Sequence, residues 1–600
     1  MGSNFESVLE KVGGWGRYQK IAVPLICLMF VPLGFFVFTP VFTYQTPPHR
    51  CFINGVDTVA GNATVEINHT VLESYIPYNL SENGKSEFAR CSRFVITEST
   101  SYWNVNTTTT PVYQQTNTTR SMEKCLDGWI YMDPEGRTSA TTEYNLVCDD
   151  AWKKPLLTSG LMIGLFLGSI ISGPITDRFG RRTTCLVNMV LNTVSVIGFS
   201  FISSYEALLV MIIAIGTSHI IWYSCTFVLA QELVDRKHRA LVACMINVIY
   251  AIGYMLLPAV AYIFKDWRWI IRSLGLGSAF FLPYIFLLPE SPRWLASQGR
   301  IDEAIKVLKR IAVINGVDQT VLQDLNTNNV ELGENLLEKT KDKNNANKQR
   351  ERRRSSVQIL AKNSVMRRRS IMICWVWNVT FLCYYALGLN TSNLGGSNYL
   401  NCFAAAALEI PCHFLVVVAI QKAGRRSSLT TFLGLAGIFV ALSPAFQNFE
   451  GVSITFAMLG KFFASSAMGI LYLYTSELYP TLLRNTGIGI ASMTSRFGSI
   501  CAPFLVFAGE NGGRNIPFYV MAALGISTAG LCLLLPETKQ SPLPDTMKDA
   551  IDLEKFRLFL SSRKKNRNES QAALTNGDEY DDVIHEFEDE QSKATVEINV

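Results

Sequence analysis

Twelve stretches of this chain are apolar for long enough to cross a lipid bilayer as helices, and this limits its possible folds more than any other feature. A helix rises about 1.5 Å per residue, so roughly 20 apolar residues span the hydrocarbon layer. The windows lie at 20–43, 154–176, 183–203, 206–231, 240–264 and 268–288, then at 371–390, 397–420, 428–446, 452–475, 486–508 and 516–536. Charge is scarce to match: 17% of the residues are charged, where a soluble protein carries roughly 25%. The fold class expected is an all-α polytopic membrane protein of twelve transmembrane helices in two groups of six. A soluble multidomain enzyme is excluded. So is a nucleic-acid partner, because the net charge of +5 has a topological source, set out below.

The order of segments follows. Residues 1–19 form a polar N-terminus with no cleaved signal, and 20–43 the first span, which acts as its own insertion signal. Residues 44–150 form a large loop, 154–288 the second to sixth spans, 289–370 a long polar loop expected to be cytoplasmic, 371–536 the last six spans, and 537–600 a polar tail expected to be disordered and cytoplasmic. The loop 44–150 holds five glycosylation sequons, at Asn62, Asn68, Asn79, Asn106 and Asn117, and four cysteines, Cys51, Cys91, Cys125 and Cys148. Both features belong to an oxidising, extracellular side. Four cysteines allow three pairings. The short loops DRFGRR (177–182), DRKHR (235–239) and QKAGRR (421–426) are basic and fall on the opposite side. By the positive-inside rule that side is cytoplasmic, which places both termini there; the plasma membrane is the expected location.

The two halves repeat. GRR at 180–182 returns at 424–426, Glu232 and Arg239 return as Glu477 and Arg484, and LLPE at 287–290 returns at 534–537. Six spans per repeat give both halves one orientation, an arrangement used by transporters that rock two bundles about a site at mid-membrane. The repeated charges read as a cytoplasmic gate. In it Asp177, Arg181 and Arg182 of one half and Arg425 and Arg426 of the other pair with Glu232 or Glu477 when that side is shut, alongside Arg239 and Arg484. The plainer alternative is that the arginines only obey the positive-inside rule.

Ionisable groups inside spans each cost about 2.5–3.5 kcal/mol at the bilayer centre and need a partner or water. Three stand out: Glu409, Lys461 and Arg496. Arg496 shares a face with Gly489, Ser492, Met493, Ser499 and Pro503, a small and partly polar stripe. Glu409 either pairs with Lys461 or Arg496 to lock the bundle, or joins them around a charged solute. Trp377, Phe381 and Tyr384 share one face of the seventh span. His219 and His413, in opposite halves, are expected to hydrogen-bond within the bundle.

DRFGRR with QKAGRR resembles the signature loops of the major facilitator superfamily. TTEYNLVCDD (141–150), PESPRWLASQGR (289–300) and YTSELYPTLLRNTGIG (474–489) resemble the organic cation, organic anion and carnitine transporter family, solute carrier family 22. The resemblance covers residues 1–540 and implies two six-helix bundles, alternating access and small organic ions as substrates. It also implies substrate contact at Trp377 and Tyr384 and a cation-handling acid at Glu409. At the position of Arg496, cation carriers of the family have Asp and anion or carnitine carriers have Arg. An acid and a base in one cavity suit a zwitterion. The second signature loop has Gln421 where the first has Asp177.

The resulting expectation is a carrier of small organic ions, carnitine-like zwitterions first and organic cations next. An organic anion carrier of the same family and a non-transporting sensor are the alternatives. An intramembrane enzyme is disfavoured, since HExxH, GxSxG and paired intramembrane His or Asp are missing from the sequence. No cofactor or metal is expected. Without a GxxxxGK[ST] loop, a sodium or proton gradient or the membrane potential is the expected driving force. RRRSS (352–356) reads either as a basic-directed phosphorylation site or as a disordered charge run. The terminal Ile598, Asn599 and Val600 fit a scaffold that captures a C-terminal carboxylate.

Overall fold

The computed structural model describes residues 8–53, 57, 72–73, 75–80, 86–95, 121–133, 135–235, 237–317, 358–480, 483–539, 544, 547 and 550–551. Twelve helical spans follow in order: α1 Arg17–Thr43, α2 Lys153–Phe179, α3 Arg181–Phe199, α4 Tyr205–Glu232, α5 Arg239–Ile263 and α6 Trp267–Leu287. The second half holds α7 Ser364–Leu389, α8 Asn398–Lys422, α9 Arg425–Ala445, α10 Glu450–Leu478, α11 Arg484–Gly512 and α12 Ile516–Cys532. Every apolar window of the sequence is a helix. Ten are long and apolar enough to cross a bilayer, and α12 is a shorter apolar helix. The helix α3 is more polar: Asn192 is buried and donates to Ile215 O at 3.2 Å and Ser218 Oγ at 3.1 Å on α4.

Prolines set where these helices break. A proline ring clashes with the carbonyl four residues earlier and removes one N–H from the ladder. Pieces of α1 end at Leu28 and Phe36, four residues before Pro32 and Pro40. Likewise α6 breaks after Ala279, four before Pro283, and α8 after Ala407, four before Pro411. Pro174, Pro258, Pro444 and Pro503 lie within unbroken helices, so packing decides which clashes open. The breaks at Pro40 and Pro411 place Phe38 between helical pieces and Glu409 at the start of one.

The LLPE repeat closes each half. Glu290 accepts the backbone N–H groups of Arg181 and Arg182 at 2.9 and 3.0 Å, at the N-terminus of α3. Glu537 accepts those of Arg425 and Ser427 at 2.8 and 3.2 Å, at the N-terminus of α9. An anion there meets unpaired N–H groups and the positive end of the helix dipole. The glycines of the two GRR loops make this possible. Gly180 and Gly424 have φ of +92° and +94°, and a Cβ on either would strike the capping glutamate.

The loop between α1 and α2 folds on two disulfides, Cys51–Cys125 and Cys91–Cys148, which selects one of the three pairings. Strand His49–Cys51 pairs antiparallel with Trp129–Tyr131, and Ser92–Phe94 with Met122–Lys124. Arg93, buried, bridges Glu123 at 2.8 Å and Asp127 at 2.6 Å. The loop is rooted on the first half: Thr141 donates to Tyr44 O at 3.0 Å, and Glu143 accepts from Trp267 Nε1 at 2.9 Å and pairs with Arg268. Asn62, Asn68, Asn106 and Asn117 lie outside the described residues, as does the side chain of Asn79.

One boundary differs from the sequence reading. The seventh helix begins at Ser364 rather than 371, because Asn363 caps it, accepting from Val365 and Met366 N–H at 3.0 and 3.1 Å. The described residues at the start of the tail pack on the second half. Besides the Glu537 cap, Ala550 is fully buried, and Arg369 donates to the carbonyls of Ala550 and Ile551. Residues 352–356 and 598–600 lie outside the described residues. Directly after α6, helices Pro292–Ser297 and Ile301–Asn315 follow, and Asn315 holds the N-terminal segment by accepting from Tyr18 N at 2.9 Å and donating to Val12 O at 3.0 Å.

Burial opposes ionisation of Glu537, but the N–H groups around it outweigh burial and hold its carboxyl below the ordinary 4.5. Its stabilisation is therefore full above that value and is lost as pH falls through the depressed one. Glu537→Gln should cost about 1–3 kcal/mol at pH 7. Thermal unfolding in detergent between pH 7 and pH 3 should show the gap between wild type and variant closing at the acid end.

Candidate functional site

The three intramembrane charges of the sequence do not form one cluster. Glu409 and Lys461 are both buried, and Lys461 Nζ lies 3.1 Å from Glu409 Oε1. Tyr384 donates its hydroxyl to the same oxygen at 2.7 Å. Three rings surround the ammonium: Tyr384 at 3.6 Å to the centroid, Phe38 at 5.0 Å and Tyr254 at 5.9 Å. Phe38 and Tyr254 stack at 4.3 Å. Cation–π contacts of this kind reach about 2 kcal/mol when desolvated. Removing one partner of a buried pair costs about 3–5 kcal/mol.

Arg496 stands apart. It is 9% exposed, its Nε has no hydrogen-bond partner, and no carboxylate lies within ion-pair distance among the described residues. Its guanidinium is 5.9 Å from the Phe381 ring centroid. Of the pairings open in the sequence, Glu409 thus takes Lys461 and not Arg496. Seven residues before Arg496 on the same helix, a Cβ at Gly489 would meet nothing within 4 Å. Gly498 is where α11 presses on α7: it donates its N–H to Asn378 Oδ1 at 3.0 Å, and a Cβ there would collide with the Asn378 carbonyl.

The aromatic face of α7 links the two charged sites. Trp377 stacks on Phe381 at 5.5 Å and donates its indole N–H to Thr475 Oγ1 at 2.9 Å. Phe381 approaches Arg496, and Tyr384, one turn on, approaches Lys461. Trp377 is fully buried and does not reach the Glu409 cage. His413 bonds within the bundle, its Nδ1 2.5 Å from Glu409 O. His219 departs from expectation: it is buried, and its Nδ1 has no partner among the described residues.

At the GRR end the repeated charges pair inside each half. Arg181 meets Glu232 at 3.2 Å and Asp177 at 3.2 Å, and Arg425 meets Glu477 at 2.9 Å. Arg182 and Arg426 do not reach these glutamates. Arg182 donates to Ile285 O at 2.8 Å, and Arg426 to the carbonyls of Leu533 and Leu535 at 3.3 Å, at the ends of α6 and α12. Gln231 donates to the Arg239 carbonyl at 3.2 Å. Arg484 is left with Nε and one Nη buried and unpartnered among the described residues.

At the opposite end the halves meet. Lys154 of α2 pairs with Glu510 of α11 at 2.7 Å, and Ser159 donates to Ile500 O at 2.7 Å. Tyr399, at the head of α8, stacks on Phe42 and meets Tyr262 edge-on, both at 5.5 Å, and its hydroxyl is 3.4 Å from Glu135 of the disulfide-bonded loop. These contacts join the two halves at the loop end.

Sequence reasoning missed Phe38, Tyr254, the Lys154–Glu510 pair and the capping glutamates. The LLPE repeat signalled the last. Phe38 and Tyr254 carry no signal in chains so rich in aromatic residues, apart from the proline beside Phe38.

The sugar (and other) transporter family matches residues 97–548. Organic cation/carnitine transporter 2 of Homo sapiens is 33% identical, over 91% of this chain and 93% of its own length. The organic cation transporter protein of Drosophila melanogaster is 29% identical, over 91% and 94%. Among solved structures, the partially occluded inward open form of the xylose transporter XylE from E. coli superposes with a TM-score of 0.50 at 18% identity, over 65% of this chain and 89% of that one. With the two-bundle fold and a charged mid-membrane site, these matches place the chain in the major facilitator superfamily, as a member of the organic cation/carnitine transporter family, solute carrier family 22.

Proposed function

We propose that this protein carries small organic ions across the plasma membrane by alternating access, with carnitine-like zwitterions as the preferred class and organic cations next. The observation that carries this reading is Arg496, buried and without a carboxylate partner among the described residues, against the aromatic face of α7 that also reaches the cage built on Glu409. Phe381 and Tyr384, which face the two sites, are separated by about 4.5 Å along α7. That is the span of a few single bonds, as between the ammonium and carboxylate of a small zwitterion. Arg496 would hold the carboxylate through charge-assisted hydrogen bonds, and Glu409 with the rings would hold the ammonium.

The same charges favour a second reading. Lys461 neutralises Glu409, and Arg496 has no carboxylate partner among the described residues, so the site as a whole is positive and suits an organic anion. Trp377 supports the aromatic face in either case.

Alternating access is supported by the closure at the loop end. Lys154–Glu510 acts as the outer latch. The charges at Asp177, Arg181, Arg182, Glu232, Arg239, Arg425, Arg426, Glu477 and Arg484 form the cytoplasmic gate, both termini lying on that side. Arg484, with two buried nitrogens unpartnered among the described residues, is free to take a partner when the gate closes. A sodium or proton gradient is the proposed coupling partner.

Uptake of radiolabelled carnitine, tetraethylammonium and a small organic anion into cells expressing wild type and Arg496→Ala tests the substrate class. Carnitine uptake should fall at least about tenfold in the variant, the worth of a charge-assisted bond. Cation uptake alone, indifferent to Arg496, sinks the zwitterion reading. Anion uptake alone, lost with Arg496, moves the protein to the anion branch, and no movement under any gradient makes it a sensor. For the latch, Lys154→Glu should depress uptake and Lys154→Glu with Glu510→Lys should restore it; a double variant as poor as the single one removes the latch.

A further inference from the structure

Lys461 occupies the place a substrate cation needs. Its ammonium is fully enclosed by one carboxylate at 3.1 Å and three ring faces at 3.6, 5.0 and 5.9 Å. Aromatic faces around a carboxylate are the arrangement that recognises ammonium ligands. A lysine serving only to neutralise Glu409 needs the carboxylate and not the rings. The rings also come from both halves: Phe38 and Tyr254 belong to α1 and α5, while Tyr384, Glu409 and Lys461 belong to α7, α8 and α10. A cation in this cage stitches the halves together across the cleft.

We propose that Lys461 is a tethered surrogate substrate: it fills the ammonium subsite of the empty carrier and is displaced when a substrate ammonium enters. The proposal rests on the reading of this site as an organic-ion site and adds a source of specificity to it. A plain cation must evict Lys461 with the cage contacts alone. A zwitterion brings a carboxylate for Arg496 as well, and that second anchor offsets the eviction. Lys461 thus selects zwitterions over cations. It also gives the unloaded carrier the same cross-cleft contacts as the loaded one, so the protein returns empty and performs net uptake as well as exchange.

Binding of tetraethylammonium and of carnitine to the purified full chain in detergent tests this, with wild type, Lys461→Met, Lys461→Arg and the double variant Lys461→Met with Glu409→Gln. Lys461→Met should bind tetraethylammonium at least about tenfold tighter, carnitine should gain less, and the double variant should lose the gain. Lys461→Arg keeps the ion pair and hence the fold, and its guanidinium stacks more firmly on aromatic faces. It should bind tetraethylammonium several-fold more weakly than wild type. In proteoliposomes, Lys461→Met should lose net uptake relative to exchange against preloaded substrate. Tetraethylammonium binding that is indifferent to residue 461, or weakened in Lys461→Met, overturns the proposal and leaves the organic-ion reading standing. Absence of any binding of tetraethylammonium, carnitine or organic anion in wild type and all variants overturns both.

Discussion

The Glu409–Lys461 pair is the interaction on which the interior depends. A lone carboxylate or ammonium at mid-membrane is expensive, and each of these groups is tolerable only because the other is there. Their union costs the site its one negative charge and leaves Arg496 uncompensated. The electrostatic character of the cleft therefore follows from a contact made within the protein. It also fixes geometry: Tyr384 is oriented by its hydrogen bond to Glu409, and the ring so placed becomes the floor on which the ammonium rests.

Helix breaks explain why the pair can exist where it does. An unbroken α8 would run its ladder straight past Glu409. Pro411 interrupts that ladder after Ala407 and starts a fresh helical piece at Glu409, whose N–H groups favour a carboxylate. Pro40 does the corresponding work in α1, where Phe38 lies in the gap and turns its ring to the ammonium. Discontinuous helices facing each other at mid-membrane are a general means of building ion sites in carriers. Here two prolines, one per half, set both sides of one cage.

Much of this was legible in the sequence, and the boundary is physical. Spans follow from apolar length, and the repeat from residues that recur in the same order at nearly one offset. Buried charges announce themselves because bilayers tolerate so few, which is why Glu409, Lys461 and Arg496 could be singled out. Their pairing could not be read, since Glu409 had two cations to choose from and only three-dimensional placement decides. The same holds for the disulfides, where four cysteines admit three answers. Phe38 and Tyr254 were invisible because one aromatic among 11% carries no mark of its role. The gate arginines show a subtler limit: repeated GRR motifs display two arginines alike, yet Arg181 and Arg425 meet carboxylates while Arg182 and Arg426 meet carbonyls.

The capping glutamates have a mechanical meaning. Glu290 joins the end of the sixth helix to the start of the third, and Glu537 joins the twelfth to the ninth. Each set of six helices is thereby closed on itself like a hoop, fastened at a single carboxylate beside a glycine that leaves room for nothing else. A hoop can be tilted but resists being sheared. Movement at the cage is then passed to the far rim of each half as rotation of a rigid body, with little of it absorbed by helices sliding within the half.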